Sequence, residues 1–543
     1  MLGILGGTVI DPTNGITLQK KDIWIKDKKI VSAKDVDPTV AQTIDASGQI
    51  IMAGGVDIHS HIAGAKVNSG RKLCPEDSLR LLRPRTAISR SGSGLTVPST
   101  HSTGYLYSEM GYTTVMEAAA APLVVRHTHE ELEDTPNLDK GIFITLGNNH
   151  FIMKCIRDNE FAKARDYVGW LMGAAKGYAI KIVNPGGVEN WKYGKNVDSL
   201  DDKVIGFGVT PRQILTTLGR INCELKLPHP VHIHGLRLGQ AGNVDITRET
   251  MELMDEFGAH FCHVQFMSYG GERGKMPTSA SREIAETINK KDGITVDVGQ
   301  IIFGPATTMT SDGPAQYGLH QRVGGKWVND DLESESGGGI IPLTFKRNNP
   351  LHGTMWVTGL EVFLLVEDPW KVFLTTDHPN AGPFLGYPQV IRLLMDSKYR
   401  EQEFEKLPAS AKKNALLPDL KREYSLEEIA IITRSGTAKR LGLKNKGHLG
   451  LGADADITIY TPADNREKMF AHPSWVIKDG EPVVTDGQLV LEKQGKTLYV
   501  SPDYNSAIEK DIREHFKDFY TINFDNYPID LEHLGPVEKI LCG

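Results

Sequence analysis

The chain has 543 residues, 40% apolar and 24% charged, enough for one large catalytic domain and a smaller companion. Its 61 basic and 68 acidic side chains leave a net charge of -7 with no basic stripe, which argues against nucleic acid as a partner; the absence of any long apolar run argues against a membrane-spanning helix. The five cysteines (Cys74, Cys155, Cys223, Cys262, Cys542) form no CxxC pair, and the N-terminal MLGILGGTVIDPTNG lacks the basic and apolar regions of a signal peptide, so a cytoplasmic protein with reduced thiols is expected.

In chain order, residues 1–52 read as short strands at 2–10, 22–25, 29–31, 42–44 and 49–52, punctuated by Asn14-Gly15 and Ser47-Gly48. Such strands cannot bury a core alone. Similar ones recur at 455–460, 474–478, 481–484 and 488–491, which predicts a composite β-sandwich from 1–52 and 440–500. Between them, apolar runs at 113–116, 141–146, 179–183, 231–234, 260–264, 294–298 and 372–375 alternate with helical segments such as 161–175 and 212–222. Continuous apolar strands separated by helices imply a parallel sheet covered on both faces. Over residues 53–439 the expectation is an α/β fold, a (β/α)8 TIM-like barrel, with 501–543 as a C-terminal extension. The Gly-rich stretch 337–341 reads as a loop, since no Gly-Lys-Ser/Thr follows it.

Five pieces of chemistry fall in barrel order. Gly55-Val56-Asp57-Ile58-His59-Ser60-His61 ends the first barrel strand, where residues i and i+2 share a face, so His59 and His61 can reach one metal from the carboxyl end that barrel enzymes use. Neutral imidazole suits zinc. Lys181 ends the run Ala179-Ile180-Lys181; it is either a solvated lysine or, facing a dication, one that carbon dioxide converts to a bridging carboxylate. His232 and His234 share a face of the next strand, and His234, nearer its end, is preferred as the ligand with His232 as the alternative. His263 is the following candidate. Asp377, before His378-Pro379, is either a turn former or a ligand that also acts as general base and acid.

The order HxH, Lys, His, His, Asp resembles the amidohydrolase superfamily of dihydroorotases, hydantoinases and ureases. Longer stretches are similar to the A subunits of formylmethanofuran dehydrogenase and of the formyltransferase/hydrolase complex. They are GGVDIHSHIAGAKVN (54–68), MGYTTVMEAA (110–119), HTHE (127–130), KIVNPG (181–186), TVDVGQ (295–300), LTTDHPNAGPF (374–384) and GHLGLGADADITIY (447–460). The resemblance implies two Zn2+ bridged by carboxylated Lys181, with methanofuran as the carbon carrier whose N-formyl bond is hydrolysed or formed. It also implies a hetero-oligomeric complex in which a formyltransferase subunit hands over the bound carrier. Paired metals about 3.5–4 Å apart make a shared water a nucleophile near neutral pH, and Asp377 would carry its proton to the departing amine. Segments 367–373, 377–380 and 242–259 look more like the hydrolytic version than the one coupled to a Mo/W subunit. Gly235-Leu236-Arg237-Leu238-Gly239 departs from the Cys-Asn run associated with both.

His150, Asn184, Arg273, Gln300 and His378 are further candidates to touch substrate. The second HxH, His127 and His129, reads as structural. The rival enzyme is a dihydropyrimidinase-like cyclic amidase; a non-catalytic scaffold would have lost ligands, and here all five positions carry competent side chains.

Overall fold

The computed structural model describes residues 1–37, 39, 41–332 and 336–543. Eight parallel strands form a barrel: β1 (Gly55–Ser60), β2 (Tyr112–Ala120), β3 (Asp139–Thr145), β4 (Ala179–Val183), β5 (Val231–His234), β6 (Ala259–Phe261), β7 (Ile294–Asp297) and β8 (Val372–Phe373). They pair in chain order from β1 to β8. The ring is nearly closed by one parallel bridge between Ser60 and His378. The His61 N–H donates to the His378 carbonyl at 2.7 Å, and the Thr375 hydroxyl to the His59 carbonyl at 2.7 Å. Every residue of the eight strands is buried, because helices cover the outside and side chains fill the inside. That is why the strands read as continuous apolar runs rather than as alternating ones. The expected helices lie at Phe161–Ala175 and Pro211–Glu224; the latter starts on a capping box between Thr210 and Gln213, with Pro211 in its first turn.

The two chain ends meet in a seven-stranded sheet. Its joint is the antiparallel pair of Ile457–Tyr460 on Ile50–Ala53, flanked on one side by Thr8–Asp11 and Ile16–Lys20 and on the other by Trp475–Lys478, Glu481–Thr485 and Gln488–Leu489. A four-stranded sheet of Lys29–Val31, Ile23–Lys26, Leu2–Leu5 and Gln42–Asp45 packs against it through Ile4, Ile25, Ile44, Ile51, Ile457 and Ile459. Residues 2–10 are thus two strands, not one. Gly6 takes φ 72°, a left-handed turn that sends Leu2–Leu5 into one sheet and Thr8–Asp11 into the other. At the far end, helix Glu509–Phe519 packs on Phe161–Ala175, and Phe524 stacks on Trp170 with ring centroids 5.3 Å apart.

An insertion between β7 and β8 is structured, although its sequence does not announce it. Gly304–Thr310 pairs with Ser336–Phe345, which pairs with Val328–Leu332, and helix Gly313–Val323 lies between them in sequence. The Gly-rich stretch 337–341 is therefore strand, not loop. A Cβ on Gly338 would stand 2.6 Å from the Thr310 carbonyl oxygen, and one on Gly339 2.8 Å from Trp327 Nε1, so close approach explains these glycines. No helix among the described residues is long and apolar enough to cross a membrane.

Where β3 begins, a buried ionic cluster ties the barrel to the terminal sheet. Lys478 Nζ lies 2.8 Å from Asp139 and 3.0 Å from Asp456; Lys446 Nζ lies 2.8 Å from Asp454 and 3.1 Å from Asp456. Burial alone would raise the Asp139 carboxyl, but Lys446 and Lys478 hold it well below the usual range; Lys446 and Lys29 likewise outweigh burial at Asp454 and bring it to about 2. Depressed carboxyls contribute stability above their unfolded value of 3.8, and that contribution is lost as pH falls through the folded values. Lys478→Met, which strands Asp139 and Asp456 beside a single lysine, is expected to cost ~3–5 kcal/mol in urea unfolding at neutral pH. The deficit should shrink as the medium is acidified below pH 4; a variant as stable as the parent would show that the cluster does not lock the two parts together.

Candidate metal centre

The carboxyl ends of the barrel strands bring the five sequence pieces to one place. His59 and His61 from the end of β1, Lys181 from β4, His234 from β5, His263 after β6 and Asp377 after β8 all line the floor of one pocket. Asp377 Oδ1 lies 2.9 Å from His59 Nε2 and 3.4 Å from His61 Nε2. Donor atoms of His59, His263 and Asp377 fall within 4.8 Å of one another, and the rings of His234 and His263 are 4.8 Å apart. His263 and Asp377 hold left-handed backbone angles, φ 38° and 48°, in the loops that follow β6 and β8. Hydrogen bonds fix both: the His263 N–H donates to Asp297 Oδ1 at 2.6 Å, and the Asp377 N–H to the Thr375 hydroxyl at 2.9 Å.

Each histidine has one ring nitrogen tied to a neighbour. His59 Nδ1 meets His232 Nε2 at 2.7 Å, His61 Nδ1 meets Glu117 Oε1 at 3.2 Å, His234 Nε2 meets Asp312 Oδ2 at 3.0 Å and His263 Nε2 meets Cys262 Sγ at 3.2 Å. The remaining nitrogens of His59 and His263 are buried without a hydrogen-bond partner. Buried lone pairs facing a carboxylate are a nitrogen and oxygen donor set that fits a divalent cation, and the tied nitrogens fix each ring's orientation. Burial pushes the imidazoles of His263 and His234 below the ordinary histidine value, towards the neutral form that a metal binds. Burial would raise Asp377, yet His263 and His59 hold it well below the usual carboxylate range. At His59, burial and Lys181 push downward but are outweighed by Asp297, Cys262 and Asp377, so the field there favours positive charge.

His232 and His234 are separated by their partners. Both nitrogens of His232 are engaged, Nε2 with His59 and Nδ1 with His229 at 3.0 Å, and the ring lies beneath the pocket floor rather than on it. Lys181 is fully buried, with Nζ donating to Cys262 Sγ at 2.9 Å.

The five candidate substrate contacts stand elsewhere; none is among the described residues that line the pocket. Arg273 is exposed and paired with Asp198 at 2.9 Å. Gln300 is buried and donates to the carbonyls of Ile301 and Trp356. His150 is held by Glu189 at 2.9 Å and packs on Phe207. His378 Nδ1 accepts from the Phe384 N–H, and Asn184 donates to Asp312 at 2.9 Å, one layer behind His234. Short-range motif reading cannot separate a histidine that faces the pocket from one that braces a loop. Of the second HxH, His129 is buried against the Ala175 carbonyl and His127 pairs with Glu131, a structural pair as expected.

The pocket, about 970 Å³ with its open mouth, is walled by residues that the motifs do not reveal. Leu238 and Gly239, from the stretch that departs from the expected Cys-Asn run, line one side with Phe266. The inserted sheet and helix supply Thr308, Gln316, Leu319 and Leu343 as a roof. Glu117 is absent from the sequence candidates too, although a carboxylate inside the apolar run Met116-Glu117-Ala118 demands a buried partner. Glu117→Gln is expected to weaken retention of zinc about 10–100-fold in chelator competition, with thermal stability little changed; unaltered retention would show that His61 is no ligand.

Residues 42–484 match the profile of the Amidohydrolase family. Protein FwdA of Methanocaldococcus jannaschii is 46% identical over 553 residues, covering 98% of this chain and 97% of the relative. The A subunit of the formyltransferase/hydrolase complex Fhc of Methylorubrum extorquens is 38% identical over 554 residues, covering 99% of each. Among solved structures, the formyltransferase/hydrolase complex FhcABCD from Methylorubrum extorquens, crystallised with methylofuran, contains a chain that superposes with TM-score 0.93 at 36% identity, with both chains fully covered. D-aminoacylase, at 13% identity and TM-score 0.53, shares the fold. A barrel whose strand ends gather these side chains, and a family match across most of its length, place the chain in the amidohydrolase family of metal-dependent amide hydrolases.

Proposed function

We propose that this chain hydrolyses the N-formyl bond of formylmethanofuran, or of a similar furan-based carrier, to formate and the free amine, as the A component of a formyltransferase/hydrolase complex. The observation that carries the reading is the convergence of His59, His61, Lys181, His234, His263 and Asp377 on one pocket floor, in a chain that superposes over its whole length on one from the methylofuran-bound complex. His59, His61, His234, His263, Asp377 and Lys181, the last as its carboxylated form, would hold two zinc ions. Bound zinc would supply a water that ionises near neutral pH and would polarise the formyl carbonyl.

The chain's own residues account for the remaining steps. Asp377 is held as a carboxylate and oriented by the Asn380 side chain, which donates to its Oδ1 at 2.9 Å. It can take a proton from the attacking water and deliver it to the carrier nitrogen, which matters because an amine anion is a poor leaving group. The wall of Leu238, Phe266, Leu343 and Phe345 suits a flat ring beside the formylated amine. We divide the chain into 1–52 with 440–500, the catalytic 53–439, and 501–543, supported by the sheet that joins both ends. We also propose a cytoplasmic setting, with a formyltransferase and other subunits as partners.

A second reading, condensation of formate with the amine in a complex that has a Mo/W subunit, uses the same groups in reverse. The higher identity to FwdA of Methanocaldococcus jannaschii favours it, whereas segments 367–373 and 377–380 favour the hydrolytic complex. Identification of the partner chains that co-purify from native cells separates the two.

Lys181→Ala is expected to lose most of the metal measured by elemental analysis, and Asp377→Asn to lower kcat about 10²–10⁴-fold on an N-formyl amine. Activity on hydantoins exceeding that on N-formyl amines would point to a cyclic amidase. Full metal content and undiminished hydrolysis in both variants would remove these residues from the reaction.

A further inference from the structure

Beneath the pocket floor, against Phe143 and Phe373, lie three histidines, His229, His232 and His260, with Asp297, all fully buried. Two of these rings, His229 and His232, form a line with His59. His229 precedes β5, at the barrel end opposite the pocket, and its Nδ1 lies 3.0 Å from the Arg440 carbonyl oxygen. Its Nε2 lies 3.0 Å from His232 Nδ1, and His232 Nε2 lies 2.7 Å from His59 Nδ1. We propose that His229 and His232 are positioning residues, a hydrogen-bonded relay anchored on the Arg440 carbonyl that fixes His59 with its Nε2 lone pair directed at the metal position. The proposal rests on the reading of the pocket floor as a metal centre.

The direction of the relay follows from its anchor. A carbonyl oxygen can only accept, so His229 Nδ1 carries a proton and His229 Nε2 must accept. His232 Nδ1 then donates to His229, and His232 Nε2 accepts from His59 Nδ1. That leaves Nε2 as the free nitrogen of His59, and Nε2 is the buried atom 2.9 Å from Asp377 that lacks a hydrogen-bond partner. Reversing every proton would set the His229 Nδ1 lone pair against a carbonyl oxygen at 3.0 Å, leaving two buried acceptors face to face. Asp297 agrees with this direction: its Oδ2, which can only accept, stands 3.5 Å from His59 Nδ1 and 3.9 Å from His232 Nε2, nearer the nitrogen that carries the proton.

The carbonyl at the anchor is itself well placed. Arg440 lies in the last turn of helix Gly436–Leu441, where backbone carbonyls lack helical partners. Its guanidinium donates to the carbonyls of Ala259 at 2.7 Å and Gly293 at 2.9 Å, which pins the segment under β6 and β7. The helix Gly436–Leu441 therefore reaches, through two imidazoles, His59 at the end of the first barrel strand.

The relay predicts an effect at a distance. His229 touches neither the pocket nor any proposed ligand, yet replacing it should change how His59 binds metal. In the purified full-length chain, His229→Phe keeps the ring's volume beside Phe143 but removes both hydrogen bonds. It is expected to weaken zinc affinity in chelator competition about 10–100-fold and to alter the visible absorption of the cobalt-substituted protein. His229→Gln, whose amide can donate to Arg440 and accept from His232, should recover most of both. If His229→Phe does not fold, as judged by circular dichroism and gel filtration, His229→Met serves as the comparison. Affinity and cobalt spectrum unchanged in the apolar variant, or Gln no better than the apolar residue, would overturn the relay. A wild-type chain that binds no metal would instead overturn the metal-centre reading itself.

Discussion

The site depends on one constraint: a nitrogen or oxygen buried at the mouth of a closed barrel must find a partner. Eight parallel strands deliver side chains to one end of the molecule, and water has little access there to satisfy them. Each ligand candidate meets the constraint on one side through a protein neighbour: Glu117 for His61, Asp312 for His234, Cys262 for His263 and His232 for His59. The nitrogens left over on His59, His61 and His263 gather around Asp377. The donor set is thus a consequence of how the second layer is wired, not of the ligand residues alone.

That second layer draws on distant parts of the fold. Asp312 belongs to the insertion between β7 and β8, where it also caps helix Gly313–Val323 through the Ala315 N–H at 3.1 Å. The same insertion lines the pocket, so the element that shapes it also orients one ligand candidate, His234. Asp297 ends β7 and holds both His260 and the strained backbone of His263. The strain at His263 and Asp377 is sustained because those bonds over-determine the two positions.

Much of this was legible in the sequence, and the reasons are physical. Parallel strands buried on both faces are written as unbroken apolar runs, so seven of them could be located, and a polar residue at the end of such a run marks the working face of a barrel. HxH, Lys181, His263 and Asp377 stood out for that reason. Their partners did not. The bond between His234 and Asp312 spans 78 residues of sequence, and nothing local announces it. Alternation puts His232 and His234 on one face, and only the ring contacts show that one is spent on its neighbours. Arg273, Gln300 and His150 stand outside the pocket lining, because polarity near a strand end does not reveal which way a loop turns. The glycines at 338 and 339 looked like a loop because the groups that crowd them come from Thr310 and Trp327.

The most direct measurement of the account is anomalous diffraction from crystals of the purified chain, recorded on both sides of the zinc absorption edge. Two peaks bounded by His59, His61, His234, His263 and Asp377, with density joining Lys181 to both, are the predicted result. A floor without anomalous signal, or Lys181 and His263 turned away from His59 and His61, would contradict it.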